Sequence, residues 1–397
     1  MASLNYKEAL DSLFSLIGTK EKTVIRPLSE AFGYVLSEDV ICIRNLPPYN
    51  NSALDGYAIF YNQRGKKLKI KDEIIFAGVV AKEPFTENEC YKIMTGAKIP
   101  DGVDTIVRFE SAKEENGYVF IPEDIKKGDA FRVKGEECKT GAVLMPKGTK
   151  INAANIALLA SQGISYVKVN AKPEILVLST GNELKEPYEV ASEDEFYNIN
   201  AYSIIAILKS FGFEASYGGI VPDSLQKTQE LFSNAKSYDM VISSGGVSAG
   251  EADFVKDALS LNGFNPSFTA VNVKPGKPTV AGIMDKTIVI SLPGNPMAAF
   301  FNCFAIVIPV LQKLSGNKSF THKQTKAINK TSFKVKSRRT NFVLGTVKNE
   351  EFFVTDNAKI SSGMMEPLLR SNAILMLEED VAEVKENEVV KAYMLYM

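Results

Sequence analysis

The sequence predicts a multidomain chain, α/β plus β modules. One doubly wound α/β domain is joined to an inserted β domain before it and a small barrel-like β domain after it. Three observations carry this. The chain has 397 residues, 45% of them hydrophobic, too many for a single core. Over residues 172–316, short continuous apolar runs alternate with helical stretches, the pattern of a parallel sheet wound by crossover helices. On either side, short alternating runs are broken by turn residues, as in β-rich modules.

The elements follow in order. In MASLNYKEALDSLFSLIG, Tyr6, Leu10, Leu13, Phe14 and Ile17 recur at helical spacing, with Lys7, Glu8 and Asp11 between them. This reads as an amphipathic helix, not a secretory leader. From Val24 to Lys150 the alternating runs include Lys67–Lys71, Thr105–Phe109 and Tyr118–Ile121. Turns at Pro100-Asp101-Gly102, Glu115-Asn116-Gly117 and Lys127-Gly128-Asp129 separate them. Asn152-Ala153-Ala154 opens a helix that Gly163 ends. It is placed to pack beside the N-terminal helix, which would make the β segment between them an insertion.

Glu174–Ser179 reads as a strand buried on both faces. Asn200 caps a helix ending near Gly212, Ala215–Val221 is a second strand, and Asp223 caps a second helix. Asp239–Ser243 and Thr287–Leu292 are further strands, and Asn295-Pro296 opens a long apolar helix. Its run Ala298–Leu311 is too short to span a bilayer and holds Asn302 and Pro309, so a buried helix is expected. A polar, basic stretch from Asn317 to Lys330 precedes alternating runs at Asn341–Thr346 and Val389–Tyr396, a small C-terminal β domain. The resulting division is 1–44 plus 143–171, 45–142, 172–316 and 320–397.

Lys and Arg number 46 against 47 Asp and Glu, so no basic excess invites a nucleic acid partner. An anion must meet a local site instead. Cys42, Cys90, Cys138 and Cys303 are scattered, which argues against a zinc ribbon or disulfide framework and fits a reducing cytoplasm. The single histidine, His322, lies in a polar stretch and reads as a solvated linker residue. A histidine base or histidine-rich metal site is therefore nearly excluded, and no membrane partner is expected.

The strongest local signal is Ser243-Ser244-Gly245-Gly246-Val247-Ser248-Ala249-Gly250-Glu251-Ala252-Asp253, directly after a buried strand. In open α/β sheets ligands bind beyond the carboxyl ends of strands. Glycines there let backbone N–H groups approach a phosphate, and Ser244 and Ser248 add hydroxyls. Glu251 and Asp253 offer carboxylates that suit a bridging divalent cation. A tight turn with an acidic helix start is the plainer alternative. Lys274-Pro275-Gly276-Lys277-Pro278 holds two lysines on a stiff turn. Leu292-Pro293-Gly294-Asn295-Pro296 ends a strand and starts a helix. Ser179-Thr180-Gly181-Asn182-Glu183 follows the first strand. In a parallel sheet these four loops share one rim and would form a nucleotide or phosphorylated-cofactor site. In the first half, Asp55 before Gly56, the turn Met94-Thr95-Gly96-Ala97 and Lys134-Gly135-Glu136-Glu137 stand out, each weak alone and each readable as a plain turn.

Together these residues closely resemble the MoeA family and the E domain of gephyrin. The matching stretches are NLPPYNNSALDGYAI, YKIMTGAKIPDGVDTIV, KGEE, STGNEL, VPD, SSGGVSAGEADF, KPGKP and LPGNPMAAF, with a weaker echo in ISSGMMEPLLRSNAIL. SSGGVSAGEAD is shared by molybdopterin-binding domains in general, whereas NNSALDGYAI with MTGA marks the MoeA type. The resemblance implies a transferase that inserts molybdate into adenylyl-molybdopterin, with Mg²⁺-dependent release of AMP. It also implies a homodimer of four-domain subunits whose site lies between the α/β domain of one and the inserted β domain of the other. Adenylyltransferase and molybdoenzyme partners are implied as well.

By motif position, the catalytic residues are Asp55, Thr95, Glu183, Asp223 and Asp253. Glu183, Asp223, Asp253 and Glu137 would hold the metal. Ser244, Gly245, Gly246, Ser248, Gly250, Glu251, Lys274, Lys277, Pro293, Gly294, Asn295 and Pro296 would bind the pterin, its phosphates or molybdate. Asp223 reads equally as a helix N-cap. Glu137, Asn182 and Asn198 depart from the aspartates common in the family. The alternatives are an adenylyltransferase of the same fold, a non-catalytic scaffold, or a carrier.

Overall fold

The computed structural model describes residues 3–18, 22–82, 86–247 and 254–395. The chain divides into two compact units, one of residues 1–37, 148–153 and 166–397, the other of residues 38–147 and 154–165.

The larger unit holds the α/β domain. Its strands are β1 (Ile175–Thr180), β2 (Ser216–Val221), β3 (Met240–Ser244), β4 (Phe264–Phe268), β5 (Val280–Met284) and β6 (Thr287–Leu292). They form one sheet in the order β2-β1-β3-β6-β5-β4. The pairs β1/β2, β1/β3 and β3/β6 are parallel, as expected. The pairs β6/β5 and β5/β4 are antiparallel, so the sheet is mixed at one edge. Alternate residues of β1 face opposite cores. Ile175 and Val177 pack with helices Ile199–Ser210 and Pro296–Leu314. Leu176 and Leu178 pack with helices Leu225–Asn234 and Phe254–Leu261. Helices on both faces make the sheet doubly wound.

The helix Tyr6–Leu16 starts with a capping box between Asn5 and Glu8 and buries Ala9, Leu10 and Leu13 in the first of these cores. The next α-helix in the chain is Ala153–Ser161. Its residues from 154 on belong to the smaller unit, where Gln162 just beyond accepts the Ile43 and Arg44 backbone N–H groups at 2.9 and 3.1 Å.

The helical stretch Pro296–Leu314 has 19 residues, longer than its apolar run, and meets a length criterion for crossing a membrane. However, 89% of its apolar window is buried in the protein, as a core helix requires. Pro309 explains its shape. The turn Cys303–Val307 widens to π geometry, so Phe304 O faces Pro309, which has no N–H to give. Two side chains from elsewhere satisfy the freed carbonyls: Tyr6 donates its hydroxyl to Ala305 O at 2.9 Å, and His322 Nε2 meets Phe304 O at 2.7 Å. The His322 ring also stacks on Phe304 with centroids 4.0 Å apart. His322 is thus a packed residue, not the solvated one expected. Burial holds its pKa below the usual 6.5, against the opposing bond to Phe304 O.

After it come β7 (Thr325–Asn329), β8 (Thr340–Lys348), β9 (Glu351–Val354), β10 (Ala373–Leu377) and β11 (Val389–Met394). Their order β8-β9-β7-β11-β10 closes through a β8/β10 pairing, giving the small C-terminal barrel. The smaller unit is built on a six-stranded sheet in the order 105–108, 56–59, 89–93, 67–75, 118–120, 113–115.

Candidate functional site

Strand register brings the rim loops of the α/β domain together. Ser179 pairs with Ser244, Ser244 with Leu292, and Thr180 with Val221. Because β5 runs antiparallel to β6, its first residue Val280 lies beside Ser291. The Lys274–Pro278 loop therefore reaches the same rim although it precedes a strand rather than following one. Lys274 is itself anchored by parallel pairing of Val273 and Lys274 with Thr340 and Asn341 of the barrel.

Backbone demands explain the glycines at the centre. Gly245 has φ +94°, and a Cβ there would lie 2.5 Å from Thr180 O. Gly245 N–H donates to Leu292 O at 3.2 Å, and Ser244 Oγ donates to Pro293 O at 3.0 Å, which ties two loops together. Asn200 is part of that tie: its Nδ2 reaches Ser244 Oγ at 2.8 Å and Gly294 O at 2.7 Å. It is not the helix cap expected. Asn198 is the cap, accepting Ala201 N–H at 3.3 Å. Asn198 is buried, accepts the Ser179 hydroxyl at 2.9 Å and donates Nδ2 to Tyr217 OH at 2.7 Å, while Tyr217 donates to Glu186. An aspartate there would lack the donor that this chain of bonds uses.

Asp223 is also not a cap. Ser224 holds that position without a side-chain cap bond, and Asp223 Oδ2 accepts Asn182 N–H at 3.2 Å while Asp223 N–H donates to Asn182 Oδ1 at 3.0 Å. Asp223 and Glu183 thus occupy neighbouring rim loops, after β2 and β1. Asn295 makes no side-chain cap bond at the start of the helix Pro296–Asn302, and Met297 N–H is taken by Ser362 O at 3.0 Å. Ser248, Gly250, Glu251 and Asp253 lie outside the described residues.

Beside the rim, between the α/β domain and the barrel, lies a cleft of about 710 Å³. Lys274 and Lys277 line it together with Lys334, Lys336, Arg339 and Lys359. Among its described lining residues none is an Asp or Glu, and Phe301, Phe342 and Met297 supply apolar surface. Six cations in a lining that holds no acid suit a small, highly charged anion. The four barrel cations escaped sequence reasoning. For three of them the signal was the run Lys334-Val335-Lys336 with Arg338-Arg339, which resembles a solvated strand edge, and Lys359 stands alone in its stretch. The Lys274–Lys277 loop is held from below by Asn302, fully buried, whose Nδ2 donates to Gly276 O at 2.8 Å and bonds Thr279 Oγ1 at 2.6 Å.

Two further residues expected at the site meet in the smaller unit. Asp55 Oδ1 accepts both the hydroxyl and the backbone N–H of Thr95, each at 2.7 Å. The Thr95 hydroxyl first, and its N–H second, hold the Asp55 carboxyl below its usual range. Glu137 lies in this unit too, ion-paired with Arg132. Among the described residues no three His, Cys, Asp or Glu side chains group as a metal site. Glu183 and Asp223 remain as hard oxygen donors of the kind Mg²⁺ takes, usually one or two carboxylates with substrate phosphates.

Comparison with known proteins gives this arrangement a context. Residues 4–163 match the MoeA N-terminal region (domain I and II), residues 176–313 a probable molybdopterin binding domain, and residues 326–395 the MoeA C-terminal region (domain IV). A molybdopterin molybdenumtransferase of Haemophilus influenzae is 30% identical over 98% of this chain and 97% of its own length. The chain belongs to the MoeA family. Another MoeA relative, the molybdopterin molybdenumtransferase of Nostoc sp., is 34% identical over 78% of this chain and 74% of its own. The crystal structure of the molybdopterin biosynthesis MoeA protein from Pyrococcus horikoshii OT3 superposes with a TM-score of 0.84 at 29% identity, covering 99% of this chain and all of that one.

Proposed function

We propose that this chain is a molybdopterin molybdenumtransferase: it inserts molybdenum from molybdate into adenylyl-molybdopterin and releases AMP with the help of Mg²⁺. The observation that carries this reading is the acid-free cleft with six cations, set against the strand-end rim. Lys274 and Lys277 would hold molybdate oxygens there, joined by Lys334, Lys336, Arg339 and Lys359. Ser244, Gly245 and Gly246, continued by Ser248, Gly250 and Glu251, would cradle the pterin's phosphates with backbone N–H groups and hydroxyls. Pro293, Gly294, Asn295 and Pro296 would form the adjoining wall. Glu183 and Asp223, with Asp253 and Glu137, would hold Mg²⁺, which neutralises phosphate charge when bound.

Thr95 donates both its hydroxyl and its N–H to Asp55 and holds the carboxyl below its usual range, and the role we assign to Asp55 is that of an acceptor rather than an acid. For Asp55 to act beside the α/β rim, the protein works as a homodimer in which the smaller unit of one subunit completes the site of its partner. Within the two units we retain the finer division 1–44 plus 143–171, 45–142, 172–316 and 320–397. The protein acts as a soluble cytoplasmic enzyme serving an adenylyltransferase upstream and molybdoenzymes downstream.

The test is AMP release from adenylyl-molybdopterin with Mg²⁺, with and without molybdate, beside an Asp253→Ala variant. Molybdate-dependent release that the variant lacks supports the transferase. Tight binding with no release would leave a carrier or scaffold.

A further inference from the structure

We propose that Arg370 is a positioning residue for the cationic cleft: it closes the neck of the loop that forms one wall of the cleft. The inference rests on the reading of that cleft as an oxyanion site. The segment between Thr355 and Ser371 is an Ω-type loop whose ends meet. At its base the buried hydroxyls of Thr355 and Ser371 lie 2.7 Å apart, and Ser371 Oγ donates to Pro367 O at 2.8 Å. Above them Arg370 grips both arms of the loop. Its Nε and Nη2 donate to Glu366 at 2.8 Å each, and its Nη1 and Nη2 donate to Asp356 at 3.0 and 2.9 Å.

Single exposed ion pairs contribute little, but a guanidinium fork bidentate to two carboxylates is the favourable exception. Between the gripped residues, Ala358, Lys359, Ile360, Ser361 and Ser362 line the cleft. The loop needs holding. Asp356, Asn357 and Ala358 have φ of 46°, 51° and 61°, three consecutive non-glycine residues in the left-handed region. Each is disfavoured unless its surroundings impose it. The far end of the wall is tied by Met297 N–H to Ser362 O, so the clamp and this bond fix the wall at both ends.

Arg370 has a second effect, on charge. It neutralises part of two carboxylates beside an anion site, and it holds both below their usual range. The two effects separate by mutation. Arg370→Ala makes the clamp more negative by one charge. Arg370→Ala combined with Asp356→Asn and Glu366→Gln makes it more positive than wild type by one. If only charge mattered, the triple variant would bind an oxyanion at least as well as wild type. If the clamp positions the wall, both variants bind weakly, and Arg370→Lys, which keeps charge but loses the fork, falls between.

The experiment titrates tungstate, a tetrahedral dianion, into the full chain by calorimetry, with Lys274→Ala/Lys277→Ala as the control for the cleft. In parallel, the rate of tryptic cleavage after Lys359 is measured. We expect both Arg370 variants to raise the tungstate Kd by ~5-fold or more, the effect of about 1 kcal/mol of lost preorganisation, and to speed cleavage after Lys359. Wild-type affinity in the triple variant overturns the positioning role. No difference between wild type and the lysine control refutes the oxyanion reading, and cleavage after Lys359 then judges the clamp by itself: an unchanged rate in Arg370→Ala overturns it.

Discussion

Replacing Asn302 tests how the lysine loop is supported. Its side chain is completely buried and makes two bonds, to Gly276 O at 2.8 Å and to Thr279 Oγ1 at 2.6 Å. Its Oδ1 has no partner among the described residues. In Asn302→Ala, two neutral hydrogen bonds worth about 1 kcal/mol each are lost, and about 1 kcal/mol returns because an unpartnered buried acceptor is removed. Gly276 O keeps the Thr279 hydroxyl at 2.9 Å, so it is not stranded. A small void adds to the loss. The net cost is about 1–2 kcal/mol.

Asn302→Asp is nearly isosteric yet puts an acceptor where the NH₂ stands, facing two oxygens. A buried carboxylate whose one possible donor, the Thr279 hydroxyl, is already given to Gly276 O costs about 3 kcal/mol or more, since turning that hydroxyl only moves the missing donor to Gly276 O. The introduced carboxyl therefore has a raised folded-state pKa. The deficit is smallest below its unfolded value of about 4 and grows as pH rises above it. The assay is urea unfolding followed by far-UV circular dichroism, since the chain has no tryptophan. An Asn302→Asp variant no less stable than Asn302→Ala near pH 7 would refute this account of the loop.

Other consequences follow from the same geometry. Gly245→Ala places a methyl 2.5 Å from Thr180 O at φ +94°, so we expect a destabilisation of about 2–4 kcal/mol and loss of substrate binding, read by thermal unfolding and titration. Asp55→Asn removes a charged acceptor from an exposed turn; the melting temperature should hold while AMP release falls about 100-fold or more, as for loss of a reacting-group partner. His322 has a folded pKa depressed by burial, so its unfolded form takes up the proton first. Stability present above about pH 6.5 is then lost as pH falls toward the lower folded value, and His322→Phe should flatten that dependence in urea midpoints.

Much of the architecture is visible in residue patterns because the decisive interactions are local. Ile175–Thr180, Met240–Ser244 and Thr287–Leu292 are continuous apolar runs, and a strand buried on both faces has no other way to look. The antiparallel edge is hidden: Phe264–Phe268 contains Pro266, and Val280–Met284 contains Gly282, and both suppress the strand signal. The rim motifs are legible because phosphate-approaching backbone demands glycine, as Gly245 shows. Asn200 and Asn302 are not legible as supports, since Asn200 looks like a helix cap and Asn302 like an ordinary helix residue, and they act on loops 94 and 26 positions away. His322 misled because its partner carbonyl is freed by Pro309, a vacancy that only the folded helix creates. The barrel cations gain meaning only from facing Lys274 and Lys277 across a cleft. The family resemblance, carried by NNSALDGYAI and SSGGVSAGEADF, supplied what spacing alone left open.

The most direct test of the central claim is the molybdate dependence of AMP release in wild type and in Lys274→Ala/Lys277→Ala. If the cationic cleft delivers the oxyanion, the variant will need about tenfold more molybdate or higher for half-maximal release, with its maximal rate largely kept. An unchanged molybdate requirement, or release that ignores molybdate in the wild type, would contradict the account.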